Sequence, residues 1–254
     1  IRQILNNKKK IFFIAEAGVN HNGSLEIAKK LIDIAVNSGA DAVKFQNFKC
    51  EELLTKNAKK MKHQTRSNNK ISQFRLLKRL ELTDEQLIKL KNYSKKKKII
   101  FFSTAFDNKS LIFLNRLNLP IFKVPSSEIN NSPYLKILAG FKKPIILSTG
   151  MSYENEVKEA INILLKNGMK KKNIILLHCT SQYPTKFSDL NLNAILTLRK
   201  KFKCTVGYSD HSPGLIAPIA AVAMGSKVIE KHFTISKKMK GPDHISSLNP
   251  TELK

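Results

Sequence analysis

Eight short apolar runs recur along the chain, and nearly every one ends in a polar residue able to do chemistry. The runs are 11-IFFIAEA, 41-DAVKFQ, 99-IIFFST, 121-IFKVPSS, 144-PIILSTG, 174-IILLHCT, 204-CTVGYSD and 227-KVIEKHF. Their tails carry Glu16, Lys44 and Gln46, Thr104, Lys123 with Ser126, Ser148, His178, Ser209 with His211, and His232. A stretch of helical periodicity follows most of them. Short β-branched-rich runs alternating with helices predict a parallel sheet. Eight such repeats in 254 residues predict an α/β chain folded as one (β/α)8 TIM barrel, for which about 250 residues is typical. The active site of that fold gathers at the C-terminal strand ends, so the polar tips are candidates for one shared site.

The helices are legible from their caps and stripes. Ser24 is an N-cap candidate, followed by an apolar stripe of Leu25, Ala28, Leu31, Ile32, Ala35 and Val36, with Ser38-Gly39 as the stop. Thr83 with Gln86 three residues on reads as a capping box. Further helices are expected over 108–117, 131–139, 153–167, 190–201 and 214–225, and another begins at Thr251. One spacing is irregular: a polar, basic excursion runs from Cys50 to about Arg79. Loops of that length are usually functional or mobile, and this one is expected to be a lid over the substrate.

The net charge of +26 invites a nucleic-acid reading. The lysines, however, fall in separate runs, Lys8 to Lys10, Lys95 to Lys98, Lys170 to Lys172, and Lys237, Lys238 and Lys240, and Trp is absent. A solvated lysine surface with no nucleic-acid partner is the reading adopted, with a positive field that helps draw in an anionic substrate. No apolar run approaches the roughly 20 residues that span a bilayer, so no membrane partner is expected. IRQILNNKKK lacks the apolar core of a signal peptide. Three scattered cysteines, Cys50, Cys179 and Cys204, fit a reducing, cytoplasmic setting.

His211 and His232 each end a late run, in YSDHS and EKHFT. On neighbouring strand tips two imidazoles suit a divalent metal with positions left open for substrate oxygens. Two loop histidines satisfied by local hydrogen bonds is the alternative. His244, in GPDH, is a candidate third neighbour. Lys44 and Lys123, with Thr104, Ser126, Ser148, Ser181 and Ser209, offer the donors and charge that a phosphate or carboxylate needs. These hydroxyls could equally satisfy local backbone. No Walker A or GxGxxG pattern is present. Glu16 ends the first run, and buried Glu is rare unless paired or functional, so a catalytic or substrate-orienting role is expected. Asn20 and Asn22-Gly23 predict a tight turn in which His21 either contacts ligand or holds the turn.

Taken together, IAEAGVNHNGS, VKFQ, FFSTAFD, FKVPSSE, ILSTGM, LLHCTSQYPT, VGYSDHSPG, VIEKHFT and GPDHISS resemble the sialic acid synthase family, in the family's order and over Ile11 to Leu248. The resemblance implies a metal-dependent barrel enzyme. Such enzymes condense phosphoenolpyruvate with an open-chain N-acetylated amino sugar, releasing phosphate and giving a nine-carbon 2-keto acid. It implies that His211 and His232 are the metal ligands, with Mn²⁺ the first choice and Mg²⁺ or Co²⁺ as alternatives. Lys44, Thr104, Lys123, Ser126, Ser148 and Ser209 match positions that hold phosphoenolpyruvate. Ser181 stands where some relatives have Asn. Glu16, Gln46, Tyr183 and Asp243 match positions facing the amino sugar, and Phe106 and Glu128 line the pocket. Glu16, Lys44, Lys123, His211 and His232 are the residues this assigns to catalysis.

Relatives are homodimers and usually continue into a small antifreeze-like domain that completes the sugar site of the partner. This chain ends before it, so one barrel over 1–254 and weak activity alone are expected. GPDHISSLNP is closer to the legionaminic-acid branch than to bacterial N-acetylneuraminate synthases. The sugar is accordingly N-acetylmannosamine or 2,4-diacetamido-2,4,6-trideoxymannose. The competing readings are a related sugar-phosphate 2-keto-acid synthase, which recruits a metal-binding cysteine not evident here, and a non-catalytic basic binding protein on a barrel.

Overall fold

Each of the eight apolar runs becomes a strand in the computed structural model, which describes residues 10–59 and 72–254. The strands are β1 Phe12–Gly18, β2 Ala42–Asn47, β3 Ile100–Ala105, β4 Phe122–Val124, β5 Ile145–Ser148, β6 Ile174–His178, β7 Thr205–Asp210 and β8 Val228–His232. They follow one another in sequence order and close into a barrel. This is the (β/α)8 TIM barrel expected from the sequence. β4 is shorter than its apolar run because Pro125 cannot donate to the ladder, and Ser126–Glu128 turns away as a single 3₁₀ turn.

Helices α1 Leu25–Asn37, α2 Cys50–Leu53, α3 Gln73–Lys78, α4 Asp84–Lys96 and α5 Asn108–Arg116 belong to the first half of the sequence. In the second half come α6 Ser132–Gly140, α7 Glu154–Lys166, α8 Asn193–Phe202, α9 Ile216–Ala223 and α10 Pro250–Leu253. Ser24 caps α1 by accepting from the Ile27 amide, and the helix buries Ala28, Leu31, Ile32 and Ala35. Burying each of the larger of these side chains contributes about 1.5–3 kcal/mol, far more than the cap at about 1 kcal/mol. The capping box at α4 is present as expected, with Thr83 and Gln86 exchanging bonds of 2.8 and 3.2 Å.

Three helices differ from the periodicity reading for an identifiable local reason. α8 starts three residues later than expected, after a 3₁₀ turn and the left-handed Asn191. α9 is trimmed at both ends by Gly214 and Gly225, whose positive φ angles are foreign to a helix. The last helix begins at Pro250, not Thr251, because Asn249 caps it and Glu252 returns the bond at 2.9 Å.

Two compact units make up the chain. One joins the segment ending at Ile14 to Pro120–Lys231, and the other joins Ala15–Leu119 to His232–Lys254. Within the first, β4 to β8 run parallel in continuous register, with Ser209 opposite Glu230 and Asp210 opposite Lys231. Every residue of β6 is buried, as a strand covered on both faces requires. Within the second, β2 and β3 pair with Lys44 opposite Phe102 and Gln46 opposite Thr104. There α2 and α3, the described flanks of the Cys50–Arg79 excursion, join a small apolar cluster of Val19, Phe48, Cys50, Leu76 and Leu80. The tip of the expected lid, residues 60–71, lies outside the described residues.

Candidate active site

In the unit containing β2 and β3, four expected site residues form one connected group. The Lys44 ammonium lies 2.8 Å from Glu16 Oε2 and donates to Thr104 Oγ1 at 2.8 Å. Gln46 Nε2 donates to the other Glu16 oxygen at 3.4 Å. Lys44 and Gln46 are two apart on β2 and so share a face. Glu16 and Lys44 are both almost fully buried. A buried Lys or Glu is tolerable only when paired, and here each pairs with the other.

His232 ends β8 in the same unit, and the backbone of Gly18 passes close against it. A Cβ built on Gly18 would stand 3.2 Å from His232 Cε1 and 3.4 Å from Glu16 Oε1, and the φ of +52° already disfavours a side chain. Gly18 is thus a close-approach glycine for both residues.

The unit containing β4 to β8 carries a second connected group. Lys123 Nζ donates to Ser148 Oγ at 2.7 Å and lies 3.6 Å from Glu230 Oε1. Ser209 Oγ donates to the same Glu230 oxygen at 3.0 Å. Ser126 Oγ accepts from the Gly150 amide at 3.0 Å and lies 3.3 Å from Cys179 Sγ. A Cβ on Gly150 would fall 2.5 Å from Ser181 Oγ and 2.9 Å from both Ser126 Oγ and Cys179 Sγ. Two hydroxyls and a thiol, from the segments after β4 and β6, therefore surround Gly150, and the buried Lys123 ammonium sits on Ser148, two residues before it. That arrangement suits an anion that can displace one partner from the lysine.

His211 directly follows β7. Its Nδ1 lies 2.7 Å from the Thr180 carbonyl, and Tyr183 Oη lies 3.1 Å from its Nε2 with the two rings stacked at 4.1 Å. The carbonyl can only accept, so Nδ1 carries the proton and Nε2 presents its lone pair. Burial pushes the imidazole pKa down to about 4, so the ring is neutral near pH 7. A neutral imidazole with a carbonyl-fixed tautomer is the form that ligates a divalent cation.

The remaining expected residues are placed as follows. Asp243 is partly buried, and burial raises its carboxyl to about 6. Phe106 packs edge-on to Phe48 at 6.4 Å, beside the cluster under the excursion. Glu128 accepts from Asn131 at 2.7 Å. His178 stacks on Tyr208 and contacts the Leu190 carbonyl at 2.7 Å. His21 is fully buried, accepts from the Gly23 amide at 3.0 Å and is driven by burial to a pKa of about 3. Its turn-holding role is therefore the one the geometry supports. His244 contacts Thr234 Oγ1 at 2.6 Å through Nδ1 and Asn22 Oδ1 at 3.3 Å through Nε2. Both nitrogens thus meet protein groups, which ties His244 to the segments carrying Thr234 and Asn22.

Sequence reasoning passes over Glu230, Lys231, Asp210, Gly18 and Gly150. A signal for Glu230 and Lys231 exists. VIEKH is a five-residue strand with two charges and every residue buried, the same anomaly that singles out Glu16 and Lys44. Among the described residues no helix is long and apolar enough to cross a membrane, and no group of three His, Cys, Asp or Glu is arranged to hold a metal.

The sequence profile of the NeuB family matches residues 31–254. An N,N'-diacetyllegionaminic acid synthase of Campylobacter jejuni is 53% identical over 247 residues, covering 97% of this chain and 74% of that protein. One of the same name from Legionella pneumophila is 46% identical over 246 residues, covering 96% and 69%. The crystal structure of an N-acetylneuraminic acid (sialic acid) synthetase from Leptospira borgpetersenii, in complex with citrate, matches with a TM-score of 0.87 at 37% identity, covering 97% of this chain and 81% of that one.

Proposed function

This chain belongs to the NeuB family, and we propose that it condenses phosphoenolpyruvate with an open-chain N-acetylated amino sugar, releasing phosphate and forming a nine-carbon 2-keto acid. The observation that carries this reading is the 53% identity to a legionaminic acid synthase across 97% of the chain. The sugar we favour is 2,4-diacetamido-2,4,6-trideoxymannose over N-acetylmannosamine. Two legionaminic acid synthases stand at 53% and 46% identity, against 37% for the sialic acid synthetase.

C3 of phosphoenolpyruvate is the nucleophile and the sugar aldehyde carbon the electrophile. As the new carbon–carbon bond forms, positive charge develops at C2. Water adds there, and the tetrahedral intermediate expels phosphate. Lys44 and Lys123 meet the carboxylate and phosphate of phosphoenolpyruvate, helped by Thr104, Ser126, Ser148, Ser181 and Ser209. Both ammonium groups are already desolvated and held, which supports this assignment. Charge placed before substrate arrives costs no reorganisation during reaction. Glu16 orients the attacking water or a sugar hydroxyl, while Gln46, Tyr183 and Asp243 face the sugar. His211 and His232 would hold a divalent cation, Mn²⁺ before Mg²⁺ or Co²⁺, which would supply Lewis-acid polarisation of the aldehyde. The neutral, tautomer-fixed imidazole of His211 fits that role.

The test is phosphate release from phosphoenolpyruvate with each of the two sugars and with phosphorylated sugars, after chelation and again after adding Mn²⁺. Metal-dependent release with the diacetamido sugar supports the reading. Release only with a phosphorylated sugar favours the related sugar-phosphate synthases. No release with any sugar, despite binding of phosphoenolpyruvate, favours a binding protein.

A further inference from the structure

Asp210 and Lys231 are opposed across β7 and β8 and are, at 0% and 1% exposure, among the most buried charges in the protein. They form an ion pair, and Lys231 Nζ also donates to the carbonyl of Ser212. The other Asp210 oxygen accepts from the Ser212 amide at 2.9 Å and from Tyr208 Oη at 2.9 Å. The pair thus grips both the amide and the carbonyl of Ser212, while Asp210 itself is anchored in β7. The residue enclosed between these grips is His211. Its own carbonyl accepts from the Thr185 amide at 2.9 Å. The backbone is therefore fixed before, at and after the imidazole.

We infer that Asp210 and Lys231 are positioning residues that hold His211 in its ligating pose. A buried ion pair is weak support for stability, because a well-packed apolar pair of similar volume is often as stable or more so. What such a pair does supply is a fixed direction, and the bonds described above run from it to Tyr208 and to the residue after His211. Lys231 is also the residue immediately before His232, so a single buried contact ties together the two strand ends that lead into the proposed metal ligands. The inference rests on the metal reading of His211.

The experiment compares Mn²⁺ binding to chelator-stripped protein by electron paramagnetic resonance. The proteins are wild type, H211A, the charge-neutral double variant D210N/K231M, and Y208F. Circular dichroism and thermal melts confirm that each is folded at the temperature used. The expected result is loss of binding in H211A and about 10–100-fold weaker Mn²⁺ binding in the folded double variant, the range typical of groups that orient a ligand. A contribution to folding alone would not change the affinity of a fully folded protein. If H211A binds Mn²⁺ as wild type does, the metal reading fails and takes this inference with it. If H211A loses Mn²⁺ while D210N/K231M keeps wild-type affinity, only the positioning role is overturned. If the double variant does not fold, Y208F decides, since it keeps shape and removes one donor to Asp210. A two- to fivefold loss of affinity at unchanged melting temperature supports the inference, and wild-type affinity overturns it.

Discussion

Lys44 and Glu16, on the neighbouring strands β2 and β1, meet at 2.8 Å with both side chains withdrawn from water. Each compensates the other's charge, so removing one leaves the other buried without that counter-ion. Glu16→Gln and Lys44→Met are each expected to cost about 3–5 kcal/mol, as broken buried pairs do. The double variant E16Q/K44M is expected to recover most of that loss and still to lack turnover. Urea unfolding of the four proteins measures the coupling. Additive single losses in the double variant would show that the two groups are not a unit.

Lys123 has a different balance. Its ammonium is 2.7 Å from Ser148 Oγ but 3.6 Å from Glu230, a looser pairing than that of Lys44. Lys123→Ala is expected to weaken phosphoenolpyruvate by roughly ten- to hundredfold, from the ~1.5–3 kcal/mol of a charge-assisted contact. The KM for the sugar should change much less. Steady-state kinetics with each substrate varied in turn separates the two, and a selective defect for the sugar would reverse the assignment.

The alternation of apolar runs and helices makes the barrel legible because each strand is buried on both faces and each helix on one. Ser24, Thr83 and the stop at Gly39 act locally and are visible for the same reason. Glu16, Lys44 and Lys123 stand out as charges inside apolar runs. Lys231 and Glu230 carry the same mark, but they sit next to His232, a candidate metal ligand that dominates the reading of that stretch of sequence. Gly18 and Gly150 are not legible. A glycine's close approach depends on which side chains fold over it, and those come from residues distant in sequence. His21 and His244 cannot be sorted into ligand or tie until their nitrogens have partners.

Gly150 offers a steric test of the proposed anion site. An added Cβ would fall 2.5 Å from Ser181 Oγ and 2.9 Å from Ser126 Oγ and Cys179 Sγ, all side-chain ends that can shift. Overpacking of this kind costs about 1–3 kcal/mol. Gly150→Ala is therefore expected to fold, with a melting temperature a few degrees lower, and to raise the KM for phosphoenolpyruvate about tenfold. An unchanged KM with the same loss of stability would remove Ser126 and Ser181 from the anion site.

Asp243 gives a pH signature with a definite sign. Burial lifts its carboxyl from an ordinary value of 3.8 to about 6. Unfolding therefore releases this proton between those two values. The stability that the protonated group contributes is complete below about pH 3.8 and is lost as pH rises through 6. Asn has the same shape and no charge to bury. Asp243→Asn should match wild type in stability near pH 4 and exceed it increasingly toward pH 7. A gap of about two pH units sets an upper bound of about 3 kcal/mol on the difference. Denaturant titrations at several pH values measure it, and a difference independent of pH would show that Asp243 is not held at a raised pKa. The kinetic counterpart follows from its proposed place facing the sugar. If the ionised carboxylate binds a sugar hydroxyl or amide, the sugar's kcat/KM should rise with pH through about 6 in wild type. In Asp243→Asn that rise should be absent, leaving a flat profile at the lower level. A wild-type profile that does not bend near 6, combined with the expected stability difference, would keep the buried carboxyl and remove it from the sugar site.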